Sequence, residues 1–476
     1  MEDNNTETSF RDRISTVTET GKRKWIYPKK PHGQWYTRRK IVSYILILVL
    51  IVLPFLKYQN EPLFLLNIID RKFIIFGTIF TPQDSYLFAV GMIMLIIFIV
   101  LFTFVFGRLF CGWVCPQTIF MEMVYRRIEY AIEGDARAQM KLNNGPWTGE
   151  KIFKKTLKHT IFLILALVFI SLLLSLVLGI DNILAAYKNP GQNYSLVLAL
   201  LLLSGAFYFI FAFFREQVCT NVCPYGRMQS VLLVDTSVVV HYDYYRGEGR
   251  ASVKDRNNSI KSGESKAEDF GDCIDCNNCV AVCPTGIDIR NGTQLECVNC
   301  TACMDACDDV MTKMNKPKGL IRYASELSIA ERKPFTLSKR AYAYSAVLLV
   351  IVGVFAFLAF KRAGLEGIIL RTPGMTYQYA PGDSTRITNL YNFKLINKTA
   401  GSIENVEIKI KNIDGAEVVQ VPGEIKEVKE FGISSGTLIL TIPVSKMEGY
   451  KTPIVFDVYS NGKLMDEVKT NFLGPH

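Results

Sequence analysis

Long uncharged runs alternate with strongly charged stretches along this chain, and the runs set its architecture. Five of them, near 41–58, 86–106, 160–180, 196–214 and 341–360, approach the roughly 20 apolar residues that a helix needs to cross a hydrocarbon layer of about 30 Å. They are read as five transmembrane helices, the first four forming two hairpins within 36–215. The first run is the shortest and is broken late by Pro54, with Arg38, Arg39 and Lys40 as a firm flank. A sixth apolar stretch, 63–80, carries Asp70, Arg71 and Lys72 in its middle. Each such charge costs about 2.5–3.5 kcal/mol at membrane depth, so an interfacial or re-entrant loop is expected there.

Beyond residue 365 the period changes to two. Ile403-Glu404-Asn405-Val406-Glu407-Ile408-Lys409-Ile410 and Thr437-Leu438-Ile439-Leu440-Thr441-Ile442 read as half-buried strands, and Ser460-Asn461-Gly462-Lys463 as a two-residue hairpin turn. Short strands over 365–476 predict a small β-sandwich of immunoglobulin type.

Charge gives the orientation. Residues 1–40 hold ten Lys/Arg, 107–159 nine and 215–340 seventeen, against two in 59–85 and one in 181–195. The positive-inside rule therefore places the amino terminus, the 107–159 loop and the 216–340 segment in the cytoplasm, and five crossings leave the carboxyl-terminal sandwich outside. The net charge of +10 follows from bases that flank hydrophobic spans, so no nucleic-acid partner is required. Residues 1–35 are polar and basic without periodicity and are expected to form a flexible arm. No signal peptide is expected, since the run from Ile41 is too long and lacks a small-residue cleavage site.

All twelve cysteines fall between Cys111 and Cys307, a confinement that favours metal or redox chemistry over a disulfide framework. Cys273-x2-Cys276-x2-Cys279-x3-Cys283-Pro284 is the bacterial ferredoxin run. Cys297-x2-Cys300-x2-Cys303-x3-Cys307 repeats it after thirteen residues. Each short-spaced triplet wraps one iron–sulfur cube while its fourth cysteine reaches the other. The expected clusters are two [4Fe–4S] cubes, one on Cys273, Cys276, Cys279 and Cys307, the other on Cys297, Cys300, Cys303 and Cys283, in an α+β dicluster domain with its core at 265–315. Zinc sites favour separated Cys-x2-Cys pairs instead.

The other four cysteines form two Cys-x3-Cys-Pro motifs, Cys111/Cys115 and Cys219/Cys223, each just past the exit of a second hairpin span. Positions i and i+4 share a helix face and could offer two soft ligands to one ion, whereas the proline places the second thiol at a helix break. Arg108 and Arg215 are expected to favour the thiolate. The alternative is cysteine as a small buried apolar residue. His32, His159 and His241 read as surface or interface residues, and with no imidazoles inside the spans no haem is expected.

Together these residues resemble the cytochrome c oxidase accessory proteins of the CcoG/FixG/RdxA type, from Trp35 to the sandwich. The matching stretches include Thr81-Pro82-Gln83-Asp84, Cys111-Gly112-Trp113-Val114-Cys115-Pro116-Gln117, Arg215-Glu216-Gln217-Val218-Cys219, Cys223-Pro224-Tyr225, Arg246-Gly247-Glu248 and Gly319-Leu320-Ile321-Arg322-Tyr323. The resemblance implies a multi-pass protein of the bacterial inner membrane with a periplasmic sandwich. It implies a cupric reductase that turns Cu(II) into Cu(I) for maturation of the cbb3-type oxidase, with electrons carried by the eight ferredoxin cysteines' clusters. Copper would be bound or reduced at Cys111, Cys115, Cys219 and Cys223, then passed to a chaperone or P-type ATPase. The electron donor would be cytosolic or a quinol. Two other readings share these motifs: a quinol-oxidising polyferredoxin subunit similar to those of periplasmic nitrate reductase, and a non-catalytic iron–sulfur scaffold or sensor.

Overall fold

Apolar length decides which helices can span a bilayer. Among the described residues there are four such helices, Tyr86–Phe106, Gly149–Leu178, Tyr194–Phe214 and Lys339–Phe360. The computed structural model describes residues 22–475 except 59–60, 69–71, 77, 81–83, 264–265, 333, 335–336, 361–363, 375, 381–382, 400, 422, 424, 431 and 448.

The expected first span, 41–58, is shorter than expected and is not among these four helices. A helix covers Gln34–Val52, but it gives way to a 3-10 turn at Leu53–Phe55 and then to a strand at Lys57–Tyr58. Its apolar stretch therefore lasts only from Ile41 to Val52, and at 1.5 Å per residue that is about 18 Å. Its early turns are anchored differently, with Arg39 2% exposed and donating to the Gly112 carbonyl at 2.6 Å. The third span starts earlier than its apolar run. Gly149–Leu178 extends through Lys151, Lys154, Lys155 and Lys158 because those lysines find acceptors: Lys151 donates to the Asn143 and Gly145 carbonyls at 2.9 and 2.7 Å, Lys154 pairs with Glu150 at 2.5 Å, and Lys155 and Lys158 both reach Glu133 at 2.8 Å.

Two compact units can be distinguished, one comprising the chain up to Val52, Val90–Ser175 and Ile180–Val352, the other Leu53–Ala89, Leu176–Gly179 and Gly353–His476. In the first, an aromatic core of Phe120, Tyr125, Phe162, Phe169 and Phe211 fills the space between helices, with Tyr125 stacked on Phe211 at 4.7 Å. Residues 22–33 of the expected flexible arm are also bound in this unit. Lys29 N–H donates to Ala281 O at 2.7 Å, Lys30 N–H to Asp135 at 2.9 Å and Asn143 to the Tyr27 hydroxyl at 2.6 Å; residues 1–21 of the arm lie outside the described residues.

In the second unit, the apolar stretch 63–80, expected as an interfacial or re-entrant loop, contains three antiparallel strands, Phe64–Asn67, Lys72–Ile75 and Thr78–Phe80. Alternation wins there: Leu65 and Ile74 point inward and are buried. The sandwich has the expected form. One sheet orders Glu417–Val421, Ile433–Pro443, Asp383–Asn397 and Leu365–Arg371, with Gln378–Ala380 also paired to Asp383–Asn397. The other orders Ile425–Val428, Ile403–Ile410, Lys451–Ser460 and Lys463–Leu473. Asn461 and Gly462, at φ 47° and 75°, make the tight turn of the last hairpin. Leu438, Leu440, Ile442, Ile454, Phe456 and Val458 all face the core and are completely buried. Phe456→Ala should cost about 3–5 kcal/mol of sandwich stability, read as a lowered denaturant midpoint; a loss below 1 kcal/mol would contradict this packing. Lys398 lies 2.7 Å from both Asp84 and Glu366, tying the start of the helix Ser85–Phe106 to the sandwich within this unit.

Candidate metal centres

The ferredoxin-type insert is closed by two short strands, Val239–Tyr242 paired antiparallel with Ile321–Ala324. Between them the two cysteine runs follow the same backbone recipe. Asp275 and Asn277 flank Cys276, and Asn299 and Thr301 flank Cys300, all four with φ between 49° and 64°. Left-handed residues on both sides of the middle cysteine curl each run around a cavity. The first cavity is lined by Cys273, Cys276, Cys279 and Cys307 with Tyr242, Ile274, Met311 and Leu320. The second is lined by Cys283, Cys297, Cys300 and Cys303 with Val240, Pro284, Ile287 and Val298, and Cys279 borders it too.

Four thiols in an apolar wall make a donor set for a four-iron cube. Burial pushes Cys279, Cys300 and Cys307 up to about 12 and Cys297 to about 11. Such thiols hold their protons at neutral pH, and a metal that claims them as thiolates releases those protons. Among the described residues no three or more His, Cys, Asp or Glu side chains are placed to hold a single metal ion. The triplet-plus-one sequence spacing of each run suits a multinuclear cluster, whereas zinc sites favour separated Cys-x2-Cys pairs.

The four remaining thiols are brought together by two helix breaks. Cys111 sits in the short helix Leu109–Trp113, and Cys115 leaves it at φ −58°, ψ 124° to cap Pro116–Ile119. Cys219 lies in a π-helical turn, Val218–Val222, and Cys223 at φ −68°, ψ 113° caps Pro224–Leu232. The prolines thus end one helix and start the next at both motifs, so neither pair lies along a single continuous helix. Two more π turns adjoin them, Phe120–Tyr125 and Ile210–Phe214. Cys111 is within electrostatic reach of Cys115 and Cys223, and Cys219 of all three others. A side chain at Gly226 would meet the Cys219 carbonyl at 2.7 Å, so glycine is required for this approach. Cys111 Sγ donates to Gln229 Oε1 at 3.4 Å, while the Nε2 of this fully buried glutamine has no hydrogen-bond partner.

For Cys111 and Cys219 burial outweighs the expected thiolate bias, although Arg108 still acts to favour the Cys111 thiolate. Burial pushes Cys111 up to about 11 and Cys219 to about 12. Arg108 spends its guanidinium on the Leu295 and Gly226 carbonyls. Arg215 spends its own on Glu129, at 3.0 and 3.1 Å.

What sequence reasoning missed is how tightly these thiols are stapled to the second cavity. A Cβ on Gly112 would stand 2.5 Å from Val298 O and 2.6 Å from Asn299 O, so the Cys111–Cys115 loop rests directly on the loop bearing Cys297 and Cys300. Arg39 bridges the Gly112 carbonyl and, at 3.5 Å, that of Cys300. Trp113 donates to the Tyr323 hydroxyl at 3.0 Å, which donates to Asn299 O at 3.3 Å. Arg126 reaches Pro284 O at 3.2 Å and Glu216 at 3.3 Å. His159 Nδ1 meets the Tyr208 hydroxyl at 2.9 Å, and His241, buried and not at the surface, meets Thr293 at 3.3 Å.

Three family models match the chain: a 4Fe-4S dicluster domain over 214–326, a 4Fe-4S binding domain over 88–132, and the immunoglobulin-like fold at the C-terminus of FixG over 355–475. The nitrogen fixation protein FixG of Rhizobium meliloti is 36% identical over 64% of this chain, a stretch spanning 58% of FixG itself. Protein RdxA of Cereibacter sphaeroides is 30% identical over 82% of this chain and 80% of its own length. The crystal structure of a FixG-related protein from Vibrio parahaemolyticus aligns at 19% identity and a TM-score of 0.19, over 24% of this chain and 97% of that one.

Proposed function

From the premise that the chain belongs to the FixG/RdxA family of iron–sulfur electron-transfer proteins, we propose that it is a membrane-bound cupric reductase serving maturation of a cbb3-type oxidase. Cys273, Cys276, Cys279 and Cys307 would hold one cube and Cys297, Cys300, Cys303 and Cys283 the other. The cubes supply one-electron storage when bound. Cu(II) is the substrate, and Cys111, Cys115, Cys219 and Cys223 are its binding site, since thiolates prefer the cuprous product. Copper then passes to a chaperone or P-type ATPase. The contact of Gly112 with the Val298 and Asn299 carbonyls carries this reading, because it leaves no side chain between the thiol loop and the second cavity's wall.

The reading also proposes a cytoplasmic amino terminus and cysteine-bearing region and a periplasmic sandwich, which takes the short helix Gln34–Val52 as a fifth crossing beside the four longer ones. The division of the chain supports it: all twelve cysteines fall in the first unit, while 53–89 and the sandwich fall in the second.

Anaerobically purified protein should carry about eight irons. After reduction of the clusters, adding cupric ion under a cuprous chelator should restore their absorbance and yield one Cu(I) per electron. Cys115→Ala with Cys223→Ala should slow this at least about tenfold; an unchanged rate and unchanged copper binding would remove the thiols from the site. Substantial quinol oxidation without copper would favour the polyferredoxin reading instead.

Copper affinity should depend steeply on pH. Cys111 and Cys219 hold protons until about pH 11 and 12, so binding both as thiolates at neutral pH releases two protons. Affinity for Cu(I) should then fall by about hundredfold for each pH unit lowered, on the order of tenfold per released proton. A competition titration against a cuprous chelator from pH 8 to 6 measures it, and a flat profile would exclude these two thiols as ligands.

A further inference from the structure

The strand Val239–Tyr242 gives one residue to each cysteine cavity, and the two differ in chemistry. Val240 lines the second cavity and offers it only methyl groups; a hydroxyl reaches that cavity from Thr285, whose Oγ1 lies 3.4 Å from Cys283 Sγ. Tyr242, two residues on and so on the same face of the strand, lines the first cavity. It is 3% exposed and belongs to one buried core with Cys273, Cys279, Met311 and Leu320.

The phenol is held in place from behind. Directly after the strand, the Asp243 carboxylate accepts from Arg246 N–H at 3.2 Å and Gly247 N–H donates to Asp243 O at 2.9 Å. Residues 244–247 therefore make a single helical turn that folds back over the ring. A Cβ at Gly247 would overlap the Tyr242 hydroxyl and the adjoining ring carbons, so the bare backbone of this glycine closes off that side. Pairing of Tyr242 with Ile321 fixes the strand register, and the ring cannot turn away from the cavity.

So confined, the hydroxyl oxygen is buried and has no satisfied hydrogen bond, a state that folded cores avoid unless a partner is to come. Burial and the neighbouring Cys273 sulfur both push this hydroxyl up, so it keeps its proton and is available as a donor. A thiol sulfur is a weak acceptor, whereas a thiolate sulfur accepts strongly. The arrangement is completed when Cys273 serves as a thiolate ligand.

We infer that Tyr242 donates its O–H to the Cys273 sulfur and thereby sets the reduction potential of the first cluster, as a positioning residue for electron uptake. A hydrogen bond to a ligand sulfur strengthens as that sulfur becomes more negative, so it favours the reduced state and raises the potential. One electron enters, Tyr242 retains its proton, and no bond forms or breaks. The inference rests on the cluster assignment in the reading above and not on copper.

The test is an anaerobic redox titration of the full-length holoprotein without copper, followed by absorbance and electron paramagnetic resonance. Iron analysis comes first: a parent protein far below about eight irons removes the cluster reading, and this inference with it. Tyr242→Phe should keep its iron and move one of the two one-electron waves to more negative potential, with the other in place. The expected change is on the order of tenfold in the one-electron equilibrium, or about 59 mV. Placing 3-fluorotyrosine at position 242 keeps the ring and makes the hydroxyl a stronger donor, so the same wave should move to more positive potential. Thr285→Val should move the other wave. If Tyr242→Phe loses iron, the direction of the fluorotyrosine shift decides alone. Unmoved midpoints in the Tyr242 variants would overturn the proposal, as would Tyr242→Phe and Thr285→Val acting on the same wave.

Discussion

Gly112→Val is expected to disconnect the thiols from the clusters while leaving both in place. A Cβ at this position meets the carbonyl oxygens of Val298 and Asn299 at 2.5 and 2.6 Å and the Asn299 carbonyl carbon at 2.9 Å. All three are backbone atoms, so no side chain can swing aside and the two loops must part. Electron tunnelling falls exponentially with separation, and Arg39 would lose its simultaneous hold on the Gly112 and Cys300 carbonyls. The rate of copper reduction should drop on the order of hundredfold, equivalent to about 2.7 kcal/mol of barrier, with iron content and dithionite bleaching preserved. Gly353→Val makes the control, since nothing lies within 4 Å of its position. Parent-like copper reduction by Gly112→Val would show that electrons do not cross at this contact.

Glu129→Ala should bring a clear loss of stability in the unit that holds it. Its carboxylate takes both guanidinium nitrogens of Arg215 at 3.0 and 3.1 Å and Lys158 at 3.6 Å, with all three side chains at most 7% exposed. Removing it takes the bidentate partner from Arg215, which keeps only the Glu216 carboxylate at 3.6 Å, while Lys158 retains Glu133 at 2.8 Å; the cost is about 3 kcal/mol, or a fall in melting temperature of roughly 6–12 °C. Arg215 also needs the anchor for conformation, because it holds φ 54° as a non-glycine residue, an arrangement that persists only when its surroundings impose it. Glu129→Ala combined with Arg215→Ala should cost less than the two single losses added. Additive losses would mean the pair is not coupled.

Much of this was legible in the sequence because it depended on local spacing. The two ferredoxin runs name their own partners, the alternation from Ile403 to Ile410 and from Thr437 to Ile442 falls on strands, and Asn461-Gly462 makes its hairpin turn. Proline after Cys115 and Cys223 marked the helix breaks correctly. The failures share a cause. Arg39 reads as membrane-flanking charge, yet it is buried on a loop more than 250 residues away. Arg108 and Arg215 read as thiolate-stabilising neighbours, but carbonyls and Glu129 hold their guanidinium groups, and burial of Cys111 and Cys219 outweighs the pull of Arg108. Glu133 and Glu216 gave no signal at all, since a buried carboxylate and a surface one look alike in sequence. The stretch 63–80 was misread because its apolar composition masked a period of two.

Of the π turns at Phe120–Tyr125, Ile210–Phe214 and Val218–Val222, the first interrupts an α-helix, the second closes one and the third stands alone, and the first two each amount to one residue inserted into helical winding. They tie the thiol geometry to chain length as well as to residue identity. Deleting a single residue from the 210–214 turn would return the helix to regular winding and rotate everything beyond it by about 100°, carrying Cys219 and Cys223 away from Cys111 with every cysteine still present. Relatives could therefore gain or lose this centre by a one-codon insertion or deletion, and an alignment that scores only conserved cysteines would not register the change.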